Sequence, residues 1–361
     1  MQPNPRILVA PLNWGLGHGS RCVPIVNELL AQGAVPVLAG EAGVLALLRA
    51  EFPRLESHIF TGYKVHYPKN GNMVAAMAWQ LPKIRRGIAD EHQELDRLIK
   101  TLDIEGVISD NRYGLHSQKL PTVLVTHQLR PKAPEGLGSL GEGVLQRVLA
   151  GMVQKFGRVW LPDAPEMPLA GSLARARAST KVAFVGNLSR FELPETMPEK
   201  MIDLLVLLSG PEPQRSLLET LILTQINEPL PQKRIVLLRG LPEKTPEITH
   251  KNVEIHNHLP SAELQKMLLC SRLVLSRSGY STLMDLNKLG LKAAFVPTPG
   301  QTEQIYLAKR LQKSGIAPFA HQNDFDLKKL IAAAQNYRGF SAIAPNQSAL
   351  LRAAVADFLA E

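Results

Sequence analysis

The feature that most constrains this chain is a unit that recurs along it: a short apolar run, a turn rich in Gly or Ser, and then a helical period. Its first instance is Arg6-Ile-Leu-Val-Ala-Pro, entering Asn13-Trp-Gly-Leu-Gly-His-Gly-Ser and then Val23, Val26, Leu29 and Leu30 at helical spacing. Uninterrupted apolar runs suit strands covered on both faces, and strands alternating with helices predict an α/β protein with a parallel, doubly wound sheet. Further strands are expected at Val35 to Ala39, at Gly106 to Ser109 ending on Asp110, at Thr122 to Thr126 ending on His127, at Val159 to Leu161 and at Val182 to Val185. Helices are expected at Val44 to Leu48 and through Val144, Leu145, Val148, Leu149, Met152 and Phe156.

The programme then restarts. Gly186-Asn-Leu-Ser-Arg runs into Pro194 and Pro198, a composition suited to a connection between domains. Beyond it, strands are expected at Leu204 to Leu208, Ile235 to Leu238, Val253 to Ile255, Leu273 to Leu275 and Ala293 to Val296. Helices are expected through Leu217 to Leu221, Ser261 to Leu269, Ser281 to Leu289 and Glu303 to Gln312, and a last amphipathic helix at Ser348 to Leu359. A length of 361 residues exceeds one ordinary core. The expected division is a first domain over 1–185, a second over 186–345, and a closing helix in 346–361 that packs back on the first.

Hydrophobic content of 45% with 20% charged residues is that of a soluble globular chain, and Leu204 to Leu208 is far too short an apolar run to span a bilayer. Ile7 to Ala10 is too short for the core of a secretory signal, and Cys22 and Cys270 form no ligand or disulfide pattern, so a cytoplasmic location is expected. The net charge of +9 suits diphosphates, anionic lipid or nucleic acid alike. No arginine-rich run with interleaved aromatics is present, which argues against nucleic acid.

In open parallel sheets, ligands bind beyond the carboxyl ends of the strands, where a loop opens a helix. Arg277-Ser-Gly-Tyr-Ser-Thr-Leu-Met-Asp285 follows an expected strand at once. Ser278, Gly279 and Ser281 offer close backbone, hydroxyls and a positive helix end to a diphosphate, with Asp285 one turn further on and within reach of ribose hydroxyls. One strand later, Gln301, Glu303 and Gln304 present groups suited to sugar hydroxyls. Taken singly these residues read as helix caps, but their pairing on successive strand ends favours a ligand site. Such a site calls for no metal, and Asp324-Phe-Asp326 reads as the cap of a helix starting at Leu327.

The run SGYSTLMDLNKLGLKAAFVPTPGQTEQIYLAKRL resembles the donor-binding region of GT-B glycosyltransferases. The likeness is to family 28, which includes the enzyme that adds N-acetylglucosamine to the peptidoglycan lipid precursor and the galactolipid synthases, and to family 1. It implies a GT-B fold, two Rossmann-like domains facing each other across a cleft. It also implies that Ser278, Gly279, Tyr280 and Ser281 hold the diphosphate, that Asp285 binds ribose where the peptidoglycan enzyme has the longer glutamate, and that Gln301, Glu303 and Gln304 hold the sugar. Ser209-Gly210 matches the family's phosphate loop, although Pro-Glu-Pro-Gln then departs from its glycine-rich form. His256-Asn-His-Leu-Pro matches the segment whose backbone, at His258 and Leu259, reads uracil, which implies a UDP-sugar donor.

In the first half, Gly15-Leu-Gly-His-Gly-Ser-Arg resembles the acceptor-side loop of the same families. It implies His18 as general base beside Gly17, with Asp110 as its partner carboxylate and His127 on the acceptor side as second choice. A base-assisted single displacement inverts the anomeric centre. The stripe Met73, Met77, Leu81, Ile84 and Ile88 reads first as core, yet Trp79 beside Lys83, Arg85 and Arg86 is what an interfacial helix shows. A lipid-linked acceptor and contact with an anionic membrane at its inner face are therefore expectations too. Gly17-His-Gly-Ser-Arg-Cys22 also resembles a UDP-sugar hydrolase of the pseudaminic-acid pathway, in which water is the acceptor. A non-catalytic nucleotide-sugar-binding subunit is the remaining alternative, and an epimerase lacks a second acid and base cluster.

Overall fold

The apolar runs form strands because each is covered on both faces. A computed structural model describes residues 4–13, 15–62, 73–133, 138–166, 168–176, 181–226, 233–241, 248–342 and 348–361, without the side chains of 73–79 and 81. The first sheet contains β1 (Arg6–Pro11), β2 (Val35–Gly40), β3 (Ser57–Ile59), β4 (Gly106–Asp110), β5 (Thr122–Val125), β6 (Arg158–Leu161) and β7 (Val182–Phe184). They lie in the order β3-β2-β1-β4-β5-β6-β7, all pairs parallel. Every residue of β4 and of β5 is buried. The crossovers are α1 (Leu16–Ala31), α2 (Ala42–Glu51), α3 (Met73–Thr101) and α4 (Gly138–Val153).

The second sheet has β8 (Leu204–Leu207), β9 (Ile235–Leu238), β10 (Glu254–His256), β11 (Val274–Ser276) and β12 (Ala293–Phe295) in the order β10-β9-β8-β11-β12, again all parallel. Its helices are α5 (Gln214–Ile226), α6 (Ser261–Leu269), α7 (Tyr280–Lys288), α8 (Thr302–Lys313) and α9 (Leu327–Ala334). Asp326 caps α9, accepting from the Lys329 amide at 2.9 Å, as the sequence suggested.

The last helix, α10 (Ser348–Leu359), leaves the second sheet and packs on α1 and β7. Phe358 sets its edge against Trp160, with ring centroids 5.9 Å apart. Gly106 makes the room, since a Cβ there would lie 2.7 Å from the Phe358 ring.

Two elements exceed the sequence expectation. β3 is a short edge strand whose Ser-His-Ile carries neither an apolar run nor an alternation. α3 runs on for 29 residues, through Pro82, because Glu91, Leu95 and Leu98 continue one buried stripe. Of the proposed interfacial patch, Lys83, Arg85 and Arg86 are exposed, while the side chains of Met73, Met77, Trp79 and Leu81 lie outside the described residues. Among the described residues no helix is long and apolar enough to cross a membrane.

Candidate functional site

Register brings together the residues expected on the acceptor side. Pro11 pairs with Asp110 and Asp110 with Val125, so the ends of β1, β4 and β5 lie side by side at one edge. Gly15, in the left-handed region at φ 92°, turns the chain into α1, whose first turn carries His18. Nδ1 of His18 lies 3.1 Å from Oδ1 of Asp110, which is fully buried. His127 stands two residues beyond β5.

Arg21, one turn after His18 on α1, joins all three. Its Nε–H donates to Asp110 Oδ2 at 2.6 Å and a second N–H donates to Oδ1. One terminal nitrogen is 3.2 Å from His127 Nδ1 and the other 3.0 Å from His18 Nδ1. Burial alone would raise the Asp110 carboxyl, but Arg21 and then His18 hold it far below the usual carboxylate range. Burial lowers the His18 imidazole below its ordinary value; Asp110 opposes this, while Arg21 and His127 add to it.

The second half meets this edge directly. The Ser281 hydroxyl donates to the Gly17 carbonyl at 2.9 Å, and α1 packs on α7. His127 lies flat on Tyr280, with centroids 4.0 Å apart and planes 4° apart, and its Nε2 is 2.6 Å from Glu303 Oε1. The Gln128 amide donates to the other Glu303 oxygen. Burial alone would raise Glu303, yet His127, with Arg21 and His18 behind it, holds it lower. The carboxylate expected to hold the sugar is thus engaged across the cleft by the first half.

Most donor-motif side chains hold loops rather than face the cleft. Ser278 is fully buried and donates to the Gln304 carbonyl at 2.8 Å. The Gln304 side-chain oxygen accepts from the Thr298 amide at 2.8 Å and its amide donates to Gln301. The Tyr280 hydroxyl donates to the Pro162 carbonyl at 2.8 Å. What is left to offer is backbone: α1, α7 and α8 begin at Gly15, Gly279 and Gln301 with no side chain capping them. Helix starts of this kind favour anions. Gly210, at φ 101°, lies beside Thr298, whose hydroxyl is buried without a hydrogen-bond partner.

At the other end of α7, the Ser189 hydroxyl donates to Asp285 at 2.6 Å and the Asn187 amide to the Met284 carbonyl. Burial pushes the Asp285 carboxyl up to about 6, against the pull of Arg190 and Ser189. His258 is lowered by burial and by Arg190, Leu259 is buried, and His256, Asn257 and His258 line a hollow of about 390 Å³. Ser189 and Arg190 sit in the segment that composition marks as a connection, and nothing in the sequence gave them a role at this end.

Arg277 is also unforeseen. It is buried, has no carboxylate partner among the described residues, and donates to the carbonyls of Val296 (3.0 Å), Pro297 (3.1 Å) and Gln214 (2.7 Å) and to Gln322 (2.7 Å). It thereby ties the loops after β11 and β12 to the start of α5. Burial lowers its guanidinium to about 10. Arg21 figured only as a member of the Gly-Leu-Gly-His-Gly-Ser-Arg and Gly-His-Gly-Ser-Arg-Cys likenesses, with no role of its own. The available signal was its spacing, since i and i+3 share a helix face. Among the described residues no group of three or more His, Cys, Asp or Glu side chains is gathered to hold a metal.

Residues 220–359 match the model of the glycosyltransferase family 28 C-terminal domain. No curated protein sequence matches the chain. Among solved structures, the chain is similar to the spinosyn rhamnosyltransferase SpnG, at 16% identity and TM-score 0.64 over 98% of this chain and 96% of that one. SpnG is also solved in complex with thymidine diphosphate and with spinosyn aglycone. The calicheamicin glycosyltransferase CalG4 aligns at 16% identity and TM-score 0.62, covering 100% of this chain and 95% of that one. The glycosyltransferase SnogD from Streptomyces nogalater aligns at 16% identity and TM-score 0.55, covering 99% and 95%. The fold is therefore GT-B, as the resemblance implied.

Proposed function

We propose that this chain is an inverting glycosyltransferase that moves a sugar from a UDP-sugar to a hydroxyl acceptor by single displacement. The observation that carries this reading is the contact between Gly17 and Ser281, which sets the His18–Asp110 pair against the loop expected to hold the diphosphate. When Nδ1–H of His18 donates to Asp110, the lone pair on Nε2 is left to act as base. It takes the proton of the acceptor hydroxyl as that oxygen bonds to the anomeric carbon. The bond from that carbon to the diphosphate oxygen breaks, and its electron pair leaves with UDP. The uncapped starts of α7 and α8 receive the growing negative charge, a role that needs no metal. An α-linked donor then gives a β-glycoside.

A pyrimidine diphosphate donor is supported by the His256 to Pro260 motif and by the thymidine diphosphate complex of SpnG. A lipid-linked acceptor, met by a cytoplasmic protein at an anionic membrane face, is supported by exposed Leu140 (87%), Val144 (60%) and Val148 (44%) on α4, together with Lys83, Arg85 and Arg86. The decisive measurement is UDP release from a panel of UDP-sugars with and without lipid and sugar acceptors, followed by anomeric NMR of the product. Acceptor-dependent release with inversion is expected. Acceptor-independent release instead establishes the hydrolase, a reading favoured by the involvement of Arg21 in the Gly-His-Gly-Ser-Arg-Cys segment. No release with any donor, alongside retained UDP binding, establishes the binding subunit.

A further inference from the structure

We propose that Arg21 fixes the proton of His127 on Nε2 and opposes a second positive charge on His18, and so joins the acceptor-side base to the donor-side carboxylate Glu303. For its catalytic consequence this rests on the reading of His18 as base; for the proton positions it does not.

The argument is one of donors and acceptors. A guanidinium has five N–H donors and no acceptor, so a ring nitrogen that takes a hydrogen bond from it must present a lone pair. Arg21 lies 3.2 Å from Nδ1 of His127, so a neutral His127 carries its proton on Nε2. That proton points to Glu303 Oε1, 2.6 Å away. One chain of donation therefore runs from Arg21 through His127 to the second half. A shift of Arg21 alters the group that holds Glu303 in place.

At His18 the same side chain competes with Asp110. Both Asp110 Oδ1 and a terminal nitrogen of Arg21 approach Nδ1 of His18, at 3.1 and 3.0 Å. A neutral ring donates from Nδ1 to Asp110 or accepts there from Arg21, and only the first leaves Nε2 free to act as base. A protonated ring would set a second cation against the guanidinium. Asp110, whose two oxygens also take hydrogen bonds from Arg21, attracts a charge on His18, while burial, Arg21 and His127 act against it. The groups acting on His18 are Asp110 at the end of β4, Arg21 on α1, His127 after β5 and Glu303 on α8, with Cys22 and Tyr113 further off beside Arg21 and Asp110. Arg21 is the only fixed cation in that set.

The test is NMR of the full-length protein with ¹⁵N-labelled histidine, comparing the native chain with Arg21→Gln and Arg21→Lys. In the native chain, His127 is expected as the Nε2–H tautomer and His18 is expected to titrate below the ordinary imidazole range. In Arg21→Gln, His18 is expected to titrate higher by on the order of one pH unit, with loss of the single His127 tautomer. Arg21→Lys, which keeps the charge without the fork, is expected to lose the tautomer but move the titration less. Native His127 found as Nδ1–H overturns the proposal whether or not either variant folds. So does a folded Arg21→Gln with His18 titrating as in the native chain, which is the outcome of a purely structural role. Turnover of UDP-sugar is read separately. If His18 titrates higher but the acid limb of kcat/KM stays put, the base reading of His18 fails while the assignment to Arg21 stands.

Discussion

The Ser189 hydroxyl donates to the Asp285 carboxylate at 2.6 Å, so the connecting segment holds the residue expected to bind ribose. The Asp285 carboxyl is pushed by burial from 3.8 up to about 6, so the folded chain keeps this proton more tightly than the unfolded one does. Its contribution is therefore most favourable below about pH 4 and declines as pH rises through 6. Asp285→Asn is expected to match the native chain in urea melts at pH 4. At pH 7 it should exceed it by about 1 kcal/mol, partial exposure screening the rest. A ribose hydroxyl bonded to the carboxylate predicts the reverse for ligand. UDP affinity, measured by calorimetry, should fall roughly tenfold in the variant, and in the native chain as pH drops from 7 to 5.

Gly17 has no room for a side chain. A Cβ there would lie 2.9 Å from Ser281 Oγ and 3.0 Å from Ser281 Cβ. Gly17→Ala is expected to push the two loops apart and lower kcat/KM by roughly tenfold, and Ser281→Gly in the same chain to restore most of it. Equal activity in the single and double variants would show that this contact does not matter to the reaction.

His18 and Asp110 are expected to differ in what their loss does. His18→Ala removes a partly exposed ring, so turnover falls by on the order of 10² to 10⁴ while UDP binding and melting temperature stay close to native. Asp110→Asn leaves the buried guanidinium of Arg21 without its charge partner, and a loss of about 3 kcal/mol of stability is expected beside the loss of activity. Near-normal turnover in His18→Ala sinks its assignment as base.

Arg277 makes four hydrogen bonds in a buried site. Arg277→Met leaves three carbonyls and an amide oxygen without a donor and is expected to cost about 3 kcal/mol or more, with weaker UDP binding. Arg277→Lys should not rescue it, because an ammonium cannot span these acceptors as the planar fork does. Thermal melts of both variants, with and without UDP, check this.

Much of this was legible in the sequence because parallel sheets leave strong marks. Apolar runs such as Gly106 to Ser109, buried throughout, and Leu204 to Leu208, buried but for Leu207, mark covered strands, and strand ends bind ligands by geometry. His18, Asp110 and His127 could be placed at one edge for that reason. Arg21 and Arg277 were not legible as site residues, because a buried arginine is defined by acceptors that only folding assembles, here from residues up to 106 positions away for Arg21. Nor could the sequence tell that the hydroxyls of Ser278, Tyr280 and Ser281 are already committed to carbonyl oxygens. A hydroxyl in a motif looks the same whether it faces a ligand or a neighbouring loop.

The return of α10 to the first sheet means that the chain passes between the halves twice. The first passage is near Asn187 to Ser189, which bond to α7; Ala342 is still set against Gly290 of the second half, while α10 from Ser348 onward is packed on the first half. Because α10 sets Phe358 on Trp160 and over Gly106, a chain cut before Ser348 would bare the end of the first sheet, so the residues after Ser348 are expected to be needed for the stability of the half they do not adjoin in sequence.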